Sequence, residues 1–257
     1  MVGENTTAKL AEAVVGHDDK DRATKTDVAN PDRDGGKYAD PSGEKMKALV
    51  WMGKNDVRVG MYSHQFLLGT RDSHYFPEEV SKPKLLEDHD VIVKVTGSTV
   101  CGSDVHIMHG VIIQTEKGDI LGHEFCGVVE QVGSAVKERK VGDRVVNSFV
   151  VSCGKCRFCK QKLTTACEKT NSSTVHKMLY GERMGGIFGY SHFTGGYAGG
   201  QAEYVRVPFG DHNLLKLPDK VPFEKGWLSM LVDTNRLLIG YRSISIRCTS
   251  NFLSQCM

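Results

Sequence analysis

Cys101-Gly-Ser-Asp-Val-His106 and Gly122-His-Glu-Phe-Cys-Gly127 are the two stretches of sequence around which the fold and the chemistry of this chain can be built. A cysteine thiolate and a histidine imidazole are common zinc ligands, and each stretch also carries a carboxylate that could support a ligand from behind. A lone cysteine and a lone histidine are weak signals, because both residue types are often buried for structural reasons. A second cluster of ligand residues in the same chain makes a zinc protein a stronger interpretation.

Four cysteines in one short loop provide that second cluster. Cys153, Cys156, Cys159 and Cys167 follow one another at gaps typical of a closed tetrahedral zinc site. An iron–sulfur cluster or a set of disulfides would use similar spacings, and both remain alternatives. The basic residues around the thiolates, which would offset their negative charge, are Lys155, Arg157, Lys160 and Lys162. The same residues are also typical of a solvated loop.

Alternating apolar residues predict β-strands on both sides of the first two stretches. Val91-Ile-Val-Lys-Val95 predicts a strand that leads to Cys101. Further strands are predicted over residues 47–51, 56–59, 125–132, 144–149, 202–207 and 214–217. Helical periodicity is scarce before residues 222–232. Many short strands with glycine-rich turns favour a mainly β fold, an antiparallel barrel or sandwich.

Length and composition allow one or two folded domains. The chain has 257 residues, 40% of them hydrophobic, and a net charge of +2. This balance gives no reason to expect nucleic acid or a membrane as a partner, and no apolar run reaches the length of a membrane span. Because four of the eight cysteines lie in one metal-like cluster, we expect a reducing compartment and a soluble, cytoplasmic protein.

Two segments depart from this pattern. Residues 1–45 are polar and mixed in charge, so we expect a disordered arm in front of a domain that begins at residue 46. Residues 60–77 have no clear period and separate two predicted strands. Because structureless loops of this length are uncommon in compact domains, we interpret them as an insertion.

The motifs in combination resemble the N-terminal catalytic domain of the zinc-containing medium-chain alcohol dehydrogenases. They are Cys-Gly-Ser-Asp-x-His, Gly-His-Glu, Val-Gly-Asp-Arg-Val, the four-cysteine lobe (residues 150–168) and Gly-Gly-x-Ala-Glu-Tyr. The resemblance covers residues 46–233, and it is strongest to alcohol and formaldehyde dehydrogenase-like members with an aspartate ligand. It implies a GroES-like barrel, two zinc ions per chain, and oxidation of an alcohol to an aldehyde or ketone with NAD or NADP.

The resemblance also assigns residue roles. Cys101, His123 and Asp233 would hold a catalytic zinc with one open position, and the four lobe cysteines would hold a structural zinc. An open position lets the ion act as a Lewis acid toward a small alcohol or aldehyde substrate. The match to the family ends at Asp233, because Thr234 and the residues after it do not fit.

Four further residues have roles by the same resemblance. Ser103 would bond the substrate hydroxyl and begin a proton relay that ends near His106, since a hydroxyl and an imidazole can both donate and accept. Asp104 would orient His123, and Glu124 would lie behind the metal. An ordinary turn aspartate and a surface glutamate are the structural alternatives for the last two.

The expected dinucleotide-binding domain has no counterpart in the sequence. Only 24 residues follow Asp233, and the tail (residues 234–257) does not resemble the family. A Rossmann domain needs on the order of a hundred residues or more. We therefore expect the chain alone to bind zinc without turning over alcohol, and we interpret the insertion and the tail as gene-model errors, which sequencing the spliced transcript would test.

Two functions therefore remain open at the level of the sequence. The first is the catalytic domain of a zinc-dependent oxidoreductase, which in the family can form homo-oligomers. The second is a zinc-stabilised, non-catalytic binding module built on the four-cysteine lobe.

Overall fold

The protein is described here by a computed structural model that covers residues 22–59 and 80–221. The predicted insertion over residues 60–77, the proposed ligand Asp233 and the tail over residues 234–257 lie outside the described residues.

Short strands dominate the described part of the chain. The strands are β1 (Lys45–Met46), β2 (Leu49–Gly53), β3 (Asp56–Val59), β4 (Val80–Ser81), β5 (Val91–Ser98), β6 (Phe125–Val132), β7 (Arg144–Asn147), β8 (Val150–Val151), β9 (Gly186–Ile187), β10 (Tyr204–Val207) and β11 (Leu214–Lys216). The helices are α1 (Arg33–Gly36), α2 (Gly102–Met108), α3 (Arg157–Lys160), α4 (Thr174–Tyr180) and α5 (Gly210–Asn213), with 3-10 turns at Thr164–Ala166 and His192–Thr194. The mainly β prediction is confirmed.

An antiparallel sheet forms the centre of the fold. Within the described residues it has five strands in the order β10-β5-β6-β7-β11. Successive side chains of β5 point to opposite faces, as the alternation of a strand requires. Val91 and Val93 pack in one buried cluster with Phe125, whereas Ile92 packs in another with Met46 and Ile120. Both faces of the central strand are therefore covered.

The register of β5 and β6 brings the two opening motifs together. Ser98 at the end of β5 lies opposite Phe125 at the start of β6. Cys101 follows the first of these positions by three residues, and His123 precedes the second by two. Because the strands are antiparallel, both motifs emerge at the same edge of the sheet.

A buried ion pair joins the start of β5 to β10. The Arg206 guanidinium donates to both carboxylate oxygens of Asp90, with Nε 2.6 Å from Oδ2 and Nη2 3.0 Å from Oδ1. The Asp90 side chain is fully buried and that of Arg206 is 5% exposed. Arg206 also donates to Thr24 and Glu87.

The disordered arm predicted for residues 1–45 is wrong for residues 22–45, which pack against the domain. The backbone N–H of Val28 donates to the Gly196 carbonyl at 2.7 Å, and the Val28 side chain enters the main core cluster. Ion pairs join Asp27 to His192 at 2.8 Å and Arg33 to Asp119 at 2.6 Å. Long-range pairs of this kind order a polar segment that its composition alone would leave unfolded.

No helix within residues 22–59 and 80–221 has the length and apolar character needed to cross a bilayer.

Candidate metal centre

Cys101 and His123 are placed by the strand ends and by local hydrogen bonds. Cys101 has extended backbone angles and precedes α2, and its N–H donates to Asp104 Oδ2 at 2.7 Å. The His123 carbonyl accepts a bond from the Asn147 side chain at 2.9 Å, while the same side chain accepts from the Phe125 N–H. The buried amide of Asn147 thus ties the His123 loop to β6 and β7.

A sulfur, an imidazole and a carboxylate converge at this edge of the sheet. Single ligand atoms of Cys101, His123 and Glu124 all lie within 4.8 Å of one another. His123 Nε2 is 4.0 Å from a Glu124 oxygen, and the other Glu124 oxygen accepts a short hydrogen bond from Thr99. One soft sulfur, one nitrogen and one oxygen form a donor set that suits zinc.

Asp104 lies behind His123, on the side away from Glu124. Its Oδ1 is 3.8 Å from His123 Nδ1, and both atoms are buried without a hydrogen-bond partner among the described residues. Burial raises the pKa of Asp104, and the Glu124 charge raises it further, although the Cys101 N–H and the charge of His123 oppose this. A cation at His123 would favour the charged form of Asp104.

Ser103 and His106 lie one turn apart on α2. Ser103 Oγ is 3.2 Å from His123 Nε2, so its hydroxyl faces the converging ligand atoms. His106 is exposed, and residues three apart on a helix are neighbours. The helix thus offers two proton-exchanging groups, one facing the ligand atoms and one in solvent.

Tyr190 is a neighbour of this site that the sequence reasoning missed. Its ring centroid lies 6.1 Å from that of His123, with the rings at 74°. Burial raises the pKa of Tyr190, and the negative charges of Cys101 and Asp104 raise it further. Only the sequence pattern around Gly189, a glycine in a turn, could have pointed to a close backbone approach here.

The four lobe cysteines also come together. All four side chains are buried and reduced, with sulfur atoms within 4.8 Å of one another. Cys153 follows β8, Cys156 and Cys159 lie at and inside α3, and Cys167 follows the 3-10 turn. The Cys156 N–H points at the Cys153 sulfur at 3.4 Å. Four sulfurs at this spacing fit a tetrahedral zinc or iron–sulfur site.

The thiols of the lobe differ in acidity because they share hydrogen bonds. A hydrogen bond from Cys167 lowers the pKa of Cys153 to about 4, whereas burial raises the pKa of Cys159 to about 11. The bond to Cys153 raises the pKa of Cys167 as well. Several thiolates cannot be buried side by side without a cation, so the donor set fits a metal ion that compensates their charge.

A third group of close ligand atoms, from Glu87, His89 and Asp90, was not anticipated from the sequence. Arg206 donates to both carboxylates of this group. Because a guanidinium already supplies the positive charge, a metal ion would have to displace it, and we assign no metal here.

Comparisons with known proteins identify relatives of this chain. Residues 87–219 match the family described as alcohol dehydrogenase GroES-like domain. A zinc-type alcohol dehydrogenase-like protein of Schizosaccharomyces pombe is 44% identical over 188 residues, which are 73% of this chain and 40% of that protein. A glutathione-independent formaldehyde dehydrogenase of Pseudomonas aeruginosa is 44% identical over 133 residues, which are 52% of this chain and 31% of that protein.

A solved structure of an alcohol dehydrogenase has a similar fold over the same part of the chain. An alcohol dehydrogenase from Thermus sp. ATN1 superposes with a TM-score of 0.56 at 33% identity, over 72% of this chain and 43% of that one. The chain thus spans less than half the length of these relatives. With the matched residues covering both the strand-edge site and the lobe, the chain belongs to the zinc-containing medium-chain alcohol dehydrogenase family and carries its GroES-like domain.

Proposed function

We propose that this chain supplies the zinc site of an oxidoreductase that converts a small alcohol to an aldehyde or ketone with NAD or NADP. The observation that carries the proposal is the convergence of Cys101, His123 and Glu124 at the edge formed by β5 and β6. Cys101 and His123 would be ligands, together with Asp233. A zinc ion held there supplies Lewis-acid chemistry that makes an alcohol hydroxyl more acidic.

The residues around the site perform the proton chemistry. Oxidation of an alcohol removes a hydride from carbon and a proton from oxygen. NAD or NADP would supply the acceptor for the hydride, and Ser103, whose hydroxyl faces the ligand atoms, would take the proton from the alcohol oxygen. The hydroxyl of Ser103 accepts it while donating its own proton toward His106, which releases it to solvent. Asp104 stabilises the orientation of His123 from behind.

The lobe has a structural role in this proposal. A four-thiolate zinc site has no open position for a substrate. Its buried sulfurs form a core cluster with Phe209, next to α5. A second zinc in the lobe would therefore stabilise the part of the chain that leads into β11.

Metal content tests the proposal directly. We expect two zinc ions per wild-type chain, and one each in Cys101→Ala and Cys153→Ala. Cys126→Ala is the matched control, because Cys126 lies three residues from His123 but is not in either ligand group. It should retain both ions. Two ions in Cys101→Ala would refute the proposed site.

The second candidate is a zinc-stabilised binding module without catalysis. It is favoured by the lobe, whose ligands lie within fifteen consecutive positions and need no other part of the fold. A single zinc in the wild-type chain, lost in Cys153→Ala and unaffected in Cys101→Ala, would support this module instead.

A further inference from the structure

Tyr190 belongs to none of the metal-site motifs, yet its ring lies against the His123 imidazole. The centroids are 6.1 Å apart and the ring planes are nearly perpendicular, at 74°. This edge-to-face arrangement is the favourable one for two aromatic rings. Tyr190 also packs beside the buried cluster of Trp51, Ile107 and Leu121, which supports its ring from the side of the core.

The backbone fixes this contact. Gly189 has a φ of +50°, and a Cβ there would lie 2.4 Å from the Gly122 nitrogen. Only a glycine lets these two backbone segments approach so closely. The Gly189 N–H also donates to the Tyr197 carbonyl at 2.9 Å, which anchors the turn. Since Gly122 precedes His123 and Gly189 precedes Tyr190, the two side chains start from backbones in direct contact.

His123 has few other restraints on its ring. Its Nδ1 is buried, has no hydrogen-bond partner among residues 22–59 and 80–221, and is 3.8 Å from Asp104 Oδ1. Its Nε2 is 3.2 Å from Ser103 Oγ. The torsion that turns an imidazole about its Cβ–Cγ bond is broad, so one hydrogen bond does not by itself fix the orientation of the ring. Packing must supply the remaining restraint.

We propose that Tyr190 is a positioning residue of the metal site, whose ring packs against the His123 imidazole and holds its Nε2 toward Ser103 and Glu124. This inference rests on the proposed function only in requiring that a divalent ion bind at Cys101 and His123. Outer groups that hydrogen-bond to a metal-bound histidine and orient it typically contribute about 10-fold to 100-fold to metal affinity, and we take the same range for a ring that orients the histidine by packing.

Cobalt titration of the purified chain tests this role, because Co²⁺ gives separate absorption bands for a one-thiolate and a four-thiolate site. Tyr190→Leu should weaken binding at the Cys101 site about 10-fold to 100-fold and shift its bands, while the lobe bands stay unchanged. Tyr190→Phe should bind like the wild type, because the ring is kept. Tyr190→Trp, which crowds the imidazole without opening a cavity, should also weaken binding.

Tyr180→Leu is the matched control. Tyr180 also packs against a histidine, His176, at 5.0 Å between centroids, but it lies in α4 and is exposed. Its replacement should leave both cobalt sites unchanged. Wild-type affinity in both Tyr190→Leu and Tyr190→Trp would overturn the inference, as would equal loss in Tyr190→Phe and Tyr190→Leu. A wild-type chain that binds only the lobe cobalt would refute the proposed function itself, and Tyr190 would then have no metal site to support.

Discussion

The buried pair of Arg206 and Asp90 offers a sharp test of how the sheet is held together. Replacement of Arg206 by Met keeps the apolar stem and removes the charge, so the fully buried carboxylate of Asp90 loses both hydrogen bonds from the guanidinium. It keeps those from the backbone N–H groups of Leu86 and Glu87. Removing one partner of a buried ion pair costs about 3–5 kcal/mol. For a chain of this size, that corresponds to a Tm lower by on the order of 10 °C.

Urea and thermal unfolding followed by circular dichroism measure this loss, and two further variants separate charge from packing. Asp90→Asn combined with Arg206→Met should recover part of the stability, because no uncompensated charge is then buried. Arg58→Ala removes an ion pair with Asp56 at the exposed end of β3 and should barely change the midpoint. If Arg206→Met unfolded at the same urea concentration as Arg58→Ala, the reasoning would be refuted.

The pH dependence of the folding stability follows from the same pair, Arg206 and Asp90. Burial alone would raise the pKa of Asp90, but the nearby His89 ring and the Arg206 guanidinium outweigh it and leave the pKa below its ordinary value. A lowered folded-state pKa contributes stability that is fully present above the unfolded value of about 4 and is lost as pH falls below it. In Arg206→Met, the charge and the hydrogen bonds of the guanidinium no longer lower the pKa of Asp90, so the carboxyl protonates more easily than in the wild type. The stability gap between wild type and Arg206→Met should therefore narrow from pH 7 to pH 4.

Two further predictions concern the metal site. Asp233→Asn should weaken zinc binding more than Glu124→Gln does, because Asp233 is proposed as a ligand and Glu124 as a residue behind the metal. Competition with a chelator measures both affinities. If Glu124→Gln lost more affinity than Asp233→Asn, the two roles would have to be exchanged. Gly189→Ala should weaken metal binding at Cys101, because its Cβ would meet the Gly122 nitrogen at 2.4 Å. Gly142→Ala has similar left-handed strain but nothing within 4 Å, so it should leave the affinity unchanged; equal effects of the two would contradict the collision argument.

Much of the fold could be predicted because alternation of apolar residues reports directly on strands. The strands over residues 91–95 and 125–132 were predicted from their apolar residues, and in the structure they run over residues 91–98 and 125–132, with Val91 and Ile92 fully buried. The short helix α2 was missed, since seven residues hold too few turns for a periodic pattern. The sequence feature that could have predicted this helix is Asp104, whose carboxylate accepts a hydrogen bond from the Cys101 N–H at the start of α2.

The N-terminal segment and the surroundings of the site were harder to predict, for a different physical reason. Composition measures how much apolar surface a segment can bury, and it does not show that His192 and Asp119 lie where Asp27 and Arg33 can pair with them. Partners so far apart in the chain meet only when the fold exists.

The two candidate metal sites also differ in how far apart their ligands lie along the chain. This separation determines how strongly metal binding at each site depends on the fold. The lobe cysteines lie close together in sequence, so the loop that carries them can close around an ion locally. Cys101 and His123 meet only if Ser98 lies opposite Phe125, and a slip of one residue between β5 and β6 would turn the flanking side chains to the wrong face. A change that weakens the central sheet, such as loss of the ion pair between Arg206 and Asp90, should therefore release the ion at Cys101 and His123 before the ion in the lobe. The strand-edge site depends on the whole domain, and its metal affinity measures how well that domain is folded.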